Sequence, residues 1–502
     1  MLQGLSLKTD SGRQNFIILL LIICSLTVRL FVFINTDNSD GIAMGKVVSA
    51  LDIVEDPALK SSFDPNTSVL YNYLLAAALH FWPDPLNSPR ALTMFFGVFS
   101  VIPFYFLIKL LFNERVALFS VIFLILDPFH VLQSVLSTSD AAFYFFFLSS
   151  LYYLFKFNEQ KTIPALISAL ILFNIASLLR FESWVFIPIL PLFLYKNGKK
   201  YVLIFFLCSL ILPSLWLYLC EHFFNDIFYT FKAPVRTMQI EITMLNRVDF
   251  TRSIFALYKA INKAITPAVT ILALSGILYA AYKKKHLQLA LLFFLLYCLY
   301  TASMLSGRMW FNYRSTIFLG ILLIPYAVFI IESLAGRLRV NSIILLLFCT
   351  LLCVPAFQEI VDNYLRNFKV SRGIEELASR IKLQVKPGEK VMIAADELDV
   401  TDQDIIVRSR LSPEVFSVIS TIDCVAKLDT EEKTKELILA FKPDYFVWPS
   451  NSCLQNKIKL NLRENTVRLF SWRLELVDSQ IVFDRSSGLQ RYNIYKINYI
   501  EN

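Results

Sequence analysis

The chain has 502 residues, of which 56% are hydrophobic and 18% charged, with a mean hydropathy of +0.56. That is more apolar surface than a water-soluble domain can bury, which excludes an ordinary soluble protein and predicts a polytopic α-helical membrane protein. The net charge of +8 is first explained by Lys and Arg retained in cytoplasmic loops, so it predicts no nucleic-acid partner.

Apolar runs approaching the roughly twenty residues that cross a bilayer fall near 16–34, 91–112, 115–132, 139–157, 162–179, 181–196, 201–220, 263–282, 287–305, 315–333 and 341–358, which predicts about eleven transmembrane helices. Lys8 and Arg13 precede the first run as in a signal peptide, but no small-x-small cleavage site follows, so it reads as a retained span. With the N-terminus in the cytoplasm, the inner loops hold Lys109 and Arg115, Lys156 and Lys161, Lys196, Lys199 and Lys200, Lys283 to Lys285, and Arg337 and Arg339. Every inner loop is then basic, as the positive-inside rule requires, and an odd number of spans puts the C-terminal end outside the cytoplasm. Scarce Gly (13) and abundant Phe (45) predict helix packing through large side chains more than through close backbone contact.

The expected organisation is a transmembrane domain over 1–361, with external loops at 35–90 and 221–262, and an extracytoplasmic α/β domain over 362–502. The first loop holds a semi-apolar helix, Val69 to Trp82, interrupted by Asn72 and His80 and read as lying on the membrane. In the last domain, helix patterns at 371–385 and 429–441 alternate with strand patterns at 390–395, Asp444 to Trp448, 467–476, 480–484 and 491–498. Cys24, Cys208, Cys298, Cys349 and Cys353 read as small apolar residues, whereas Cys424 and Cys453 share the outer domain, where a disulfide is open to them. His80, His130, His222 and His286 have no metal-ligand spacing and read as structural or interfacial.

Acidic groups near hydrocarbon are costly, so those gathered on one face are informative. Asp37 and Asp40 follow the first span, Asp140 opens the fourth in Ser137-Thr138-Ser139-Asp140, and Glu182 sits beside Arg180 between the fifth and sixth. Each has a plain structural alternative: Asp40 and Asp140 as helix caps, Arg180 with Glu182 as a local ion pair. On the same face, Arg308 and Arg314 bracket the start of the tenth span, and Lys232, Arg236 and Arg247 lie in the second loop. Arginines there either snorkel to headgroups or present a rigid fork to a phosphate. A carboxylate with phosphate-binding cations at the outer surface is the minimum equipment for moving a sugar off a lipid phosphate, with a base for the incoming hydroxyl and neutralisation for the departing phosphate.

In order along the chain, the sequence shows Arg29-Leu30-Phe31 late in the first span, Asp40 after it, the loop helix Leu70-Tyr71-Asn72-Tyr73-Leu74-Leu75-Ala76, Ser88-Pro89-Arg90-Ala91-Leu92 with Phe96-Gly97 beyond, and Ser137-Thr138-Ser139-Asp140. These features, over about residues 25–190, resemble the C-type integral membrane glycosyltransferases, in the branch of protein O-mannosyltransferases and the aminoarabinose transferases that modify lipid A. The resemblance implies transfer of a sugar from a polyprenyl-phosphate carrier, dolichyl or undecaprenyl, to a protein or glycolipid acceptor on the outer face, with inversion. It implies Asp40 as base or acceptor-positioning residue and Asp140 as a second acid shaping the site; with the charges gathered on the outer face and the motifs above, the substrate-binding candidates are Asp37, Tyr71, Arg90, Arg180, Glu182, Arg308 and Arg314. A divalent cation is the one cofactor left open, although Asp40-Gly41 stands where the family has Asp-Glu and supplies a single carboxylate. Thr67-Ser68-Val69 replaces the usual His-Pro-Pro start of the loop helix, and the C-terminal domain has no Trp-Trp-Asp. Competing expectations are a polyprenyl-lipid flippase or transporter, which would show charges buried at mid-span or related halves with broken helices, neither of which the sequence shows, and a membrane scaffold with no catalytic role.

Overall fold

A computed structural model describes residues 3–37, 40–57, 69–230, 257–259, 261–262, 265–305, 313–339, 341–359, 362, 372–395, 401–420, 430–449, 466–469, 472–484 and 488–499. It divides into two compact units. One comprises residues 1–35, 64–71 and 90–367; the other comprises 36–63, 72–89 and 368–502.

The described residues of the first unit form helices joined by turns. Its helices include α1 (Gln3–Asn35), which exposes Phe16, Leu19, Leu20 and Ile23, the pattern of a helix facing lipid. The second unit begins with α2 (Gly41–Glu55), and the chain continues through α3 (Val69–Phe81), α4 (Ser88–Phe99), α5 (Val101–Leu111) and α6 (Glu114–Leu126). Next come α7 (Pro128–Gln133), α8 (Asp140–Gln160), α9 (Ile163–Leu179), α10 (Lys199–Ser209) and α11 (Ile211–Phe224). Past the second long loop lie α12 (Pro267–Lys283), α13 (Gln288–Leu305), α14 (Tyr313–Arg337) and α15 (Ser342–Glu359). Among the described residues, four helical stretches are long and apolar enough to cross a membrane: Gly12–Asn35, Ser88–Leu111, Lys199–Phe224 and Ile317–Arg337. Ile163–Leu179, Pro267–Lys283 and Gln288–Ala302 are shorter and apolar. The chain is an integral membrane protein with several such segments.

Two of the expected spans take another form. Residues 181–196 are two 3₁₀ segments, Phe181–Phe186 and Leu190–Asn197. Pro188 and Pro191, which lack the N–H an α-helix needs, fall between and within them. The run at 115–132 breaks at Asp127, whose Oδ1 caps α7 by accepting the His130 N–H at 2.8 Å, with Pro128 at the first helical position.

The packing follows the composition, with two exceptions. Phe143, Phe147, Phe173, Phe186 and Phe318 form a ring-to-ring cluster between α8, α9 and α14. Gly276, however, is a close approach: a Cβ there would lie 2.0 Å from the Tyr326 carbonyl oxygen of α14. At Gly97 a Cβ would meet the Ser134 side chain at 2.2 Å.

The absence of deeply buried charge, an expectation used against a transporter, does not hold. Arg29 in α1 is fully buried. Its Nη1 donates to Ser25 Oγ at 2.8 Å, and its Nη2 donates to His130 Nδ1 at 2.7 Å. Ser100 Oγ, 3.2 Å from His130 Nε2, donates to the Gly97 carbonyl, so the ring proton belongs on Nε2 and the imidazole is neutral. His130 is therefore structural, and a full cation sits inside the helical unit where hydropathy alone showed only an apolar run.

In the second unit, a six-stranded sheet is built from β1 (Val391–Ala395), β2 (Phe416–Ser420), β3 (Tyr445–Pro449), β4 (Thr466–Leu469), β5 (Trp472–Asp484) and β6 (Gly488–Asn498), in the order β2-β1-β3-β6-β5-β4. β1 pairs in parallel with β2 and β3, and the remaining pairs are antiparallel. The parallel pairs need helical crossovers, which α17 (Thr401–Ser409) and α18 (Thr430–Phe441) provide; α16 (Arg372–Gln384) precedes β1. Alternation buries both faces. Met392, Ala394, Phe446, Trp448, Tyr495 and Ile497 pack with Ile438 of α18, while Val391, Ile393, Val447, Tyr492 and Ile494 pack with Ile374, Leu377, Ile405 and Ile406. β1, β3 and β6 and the helices α16 and α18 fall where patterns were expected; the pattern at 467–476 divides between β4 and the start of β5, whose end takes up 480–484, and β2 and α17 are additional. Cys424 and Cys453 lie outside the described residues.

α2 also packs in this unit, and Asp52 on it carries a pH prediction. Burial, with the charges of Glu55 and Glu414, pushes its carboxyl up from the ordinary 3.8 to about 6. The folded state then holds a proton that the unfolded chain has released between those two values. Stability therefore falls as pH rises through that window, and the loss is complete above it. Asp52→Asn is expected to raise the unfolding temperature at pH 7–8 and to leave it unchanged near pH 4, as read by thermal melts of the purified protein at both pH values.

Candidate functional site

Within the helical unit, Asp140 is the first residue of α8 and is 0% exposed. The helix N-terminus favours its negative charge, and Ser139 holds the cap position, so Asp140 is not the cap the sequence allowed. The Arg180 guanidinium, 13% exposed, ends α9 and forms an ion pair with Asp140. It also pairs with Glu182, with Nε–Oε2 at 3.2 Å, in the first 3₁₀ turn. One cation thus carries two carboxylates. That is more than the local pair expected from adjacent residues, because Asp140 comes from a different helix.

The Arg180–Glu182 pair opens into a recess walled by Phe143, Tyr144, Phe186, Tyr300 and Phe318. This recess has room for about one water molecule, so it is a niche of aromatic and polar groups rather than a preformed sugar pocket. Aromatic faces suit the C–H face of a sugar ring, and carboxylates accept its hydroxyls. Tyr144 and Tyr300 went unnoticed in the sequence, since a tyrosine inside an apolar run has no signature of its own.

The other expected site residues are placed as follows. Asp40 is the N-cap of α2, its Oδ1 accepting the Ala43 N–H at 3.0 Å. Asp37 forms an ion pair with Arg408 of α17 at 3.0 Å. Tyr71 is buried on α3, its hydroxyl 2.5 Å from Thr93 Oγ1. Arg90 is buried; it donates to the carbonyls of Val135 (2.9 Å) and Phe33 (3.0 Å) and stacks 4.2 Å over the Phe33 ring, tying α4 to the end of α1. Arg314 falls in the first turn of α14, and Arg308, Lys232, Arg236 and Arg247 lie outside the described residues. Among the described residues no three of His, Cys, Asp and Glu converge as metal ligands.

Residues 66–219 match the family described as dolichyl-phosphate-mannose-protein mannosyltransferase, a span that contains Tyr71, Arg90, Asp140, Arg180 and Glu182. No curated protein matches the chain in sequence. Among solved structures, ArnT from Cupriavidus metallidurans in the apo state has a TM-score of 0.63 at 10% identity, over 96% of this chain and 98% of that one. The same protein bound to undecaprenyl phosphate also gives 0.63, at 11% identity over 95% and 97%. The archaeal oligosaccharyltransferase AglB from Archaeoglobus fulgidus, in complex with an inhibitory peptide and a dolichol-phosphate, gives 0.56 at 11% identity over 88% and 69%. At these identities the likeness is one of fold, and it runs through both the helices and the C-terminal sheet. The chain therefore has the fold of ArnT and AglB over most of its length, and over residues 66–219 its sequence matches the dolichyl-phosphate-mannose-protein mannosyltransferase family.

Proposed function

We propose that this protein is an inverting glycosyltransferase that moves a sugar from a polyprenyl-phosphate-linked donor to an acceptor hydroxyl, on protein or glycolipid, at the extracytoplasmic or lumenal face. The observation that carries the reading is the pair of carboxylates, Asp140 and Glu182, held by one guanidinium beside an aromatic recess, inside the segment that matches a sugar-transferase family. Support for the donor comes from the undecaprenyl phosphate and dolichol-phosphate bound by proteins of the same fold.

In this reading residues 1–361 are the transferase, with the N-terminus in the cytoplasm, and 362–502 an extracytoplasmic domain. Asp40 takes the proton of the acceptor hydroxyl on Oδ2, Oδ1 being engaged in capping α2. The acceptor oxygen attacks the anomeric carbon from the face opposite the phosphate. The bond from that carbon to the phosphate oxygen breaks, and the polyprenyl phosphate leaves with the electron pair. Arg308 and Arg314 neutralise the phosphate as its charge develops. Asp140, Arg180 and Glu182 hold the sugar's hydroxyls, with Tyr144 and Tyr300 against its ring. Tyr71 and Arg90 support the donor by shaping the helices around it.

The family's description makes polyprenyl-phosphate mannose the first donor to offer. The expected result is that purified protein in lipid vesicles consumes one member of a panel of polyprenyl-phosphate sugars, releasing the polyprenyl phosphate in the presence of acceptor. A flippase would move labelled donor between leaflets without consuming it, and that outcome, with no donor consumed from any member of the panel, would overturn the proposal.

A further inference from the structure

The second unit ends the segment that carries Asp40 on an unusual arginine. Arg408 projects from α17 with its side chain 3% exposed, and three carboxylates converge on it. Nη2 pairs with Asp37 Oδ2 at 3.0 Å, Nη1 with Glu375 Oε1 at 3.2 Å, and Nε with Asp404 Oδ1 at 3.4 Å. Burying a guanidinium is costly unless it is compensated: here Nε and Nη1 donate hydrogen bonds to Asp404 and Glu375, and Nη2 meets Asp37 as an ion pair without hydrogen-bond geometry. Glu375 and Asp404 belong to the same fold region as Arg408, one helix away and one turn back on the same helix. Asp37 does not: it lies at the exit from α1, three residues before Asp40.

The contact does not stand alone. Met44 and Val47 of α2 form a buried cluster with Val407, with Val48, Leu51 and Leu86 packed against it. Gly45 faces Gln403 of α17 so closely that a Cβ would lie 2.9 Å from its Oε1. At the far end of α2, Ser412 Oγ donates to Glu55 Oε2 at 2.6 Å. The helix that Asp40 starts is thus held before its first turn, along its middle and at its last residue by residues from one short stretch, Gln403 to Ser412.

We propose that Arg408 is a positioning residue for the transfer reaction: through Asp37 it sets where α2 begins, and so where the Asp40 carboxylate stands. On this account α17 is the mount of α2 within the second unit. Arg408 touches neither donor nor acceptor. The inference rests on the assignment of Asp40 as base, and the two are separable by experiment.

The discriminating variants change the same guanidinium's partners one at a time in the full-length protein. Asp37→Asn leaves Arg408 paired with Glu375 and Asp404, so the domain should fold; the tether to the Asp40 segment is weakened. The expected result is a kcat about ten- to a hundredfold lower with the donor KM unchanged, because a small displacement of a reacting group has effects of that order while donor binding is not involved. Glu375→Gln alters the same arginine on the side away from Asp40 and should leave kcat within about twofold of the parent. Arg408→Lys, a point charge that cannot satisfy three carboxylates at once, should fall between them. A merely structural arginine would make Asp37→Asn and Glu375→Gln behave alike, and either that result or an unchanged kcat in Asp37→Asn would overturn the proposal. If Asp40→Asn were itself fully active, the base assignment would fail first, whatever these variants did.

Discussion

Asp40→Asn is expected to reduce sugar transfer by about 10²–10⁴-fold, the usual range for loss of a general base, while leaving the fold intact. The geometry explains why these two effects separate. Asp40 caps α2 with Oδ1 on the Ala43 N–H, and Asn offers a side-chain oxygen at the same place with equal capping strength. What Asn lacks is a carboxylate oxygen able to take a proton. The measurement is turnover of the donor identified in the vesicle assay, with the unfolding temperature taken on the same preparation. Parent-level turnover would reduce Asp40 to the cap it visibly is. Asp40→Ala is a poorer test, since losing the cap costs about 1 kcal/mol and mixes folding with chemistry.

The second large effect belongs to Arg180. Arg180→Met keeps an unbranched stem but leaves Asp140, fully buried at the start of α8, without its cation. Breaking a buried pair from one side costs about 3–5 kcal/mol, because the remaining charge stays uncompensated. A large drop in unfolding temperature is expected, together with loss of transfer. Asp140→Asn in the same background should recover much of the stability, since the orphaned charge goes with it, and should recover none of the activity. Thermal melts of the two single variants and the double variant read the coupling directly. Simple addition of the two single effects would show that the pair does not anchor this end of α8.

The contrast between these two acids shows how legible a site is from residues in order. Asp40 and Asp140 stood out because each is an acidic residue at the end of an apolar run. Their neighbours did not. Arg180 was paired with Glu182 from adjacency, yet its other carboxylate, on Asp140, is forty positions away. Arg90 read as a substrate-binding residue from the motif it stands in, and in the structure Nε and Nη2 meet two main-chain carbonyls. A guanidinium's charge is visible in the sequence, whereas the acceptors that occupy it are set by packing.

Hydropathy and pattern, by themselves, determined that the chain inhabits a membrane, which stretches of it are apolar, and that a mixed helix-and-strand domain follows them; these depend on local composition and period. Only the tertiary structure decided that the run at 181–196 is 3₁₀ turns, that the run at 115–132 breaks at Asp127, and that Arg29 meets His130 inside the helices. The same holds for the grip of Arg408 on Asp37. Each of those is a pairing or an interruption whose energy comes from partners far away along the chain, and a linear sequence carries no term for who will be near whom once the lipid-facing and buried surfaces have been sorted.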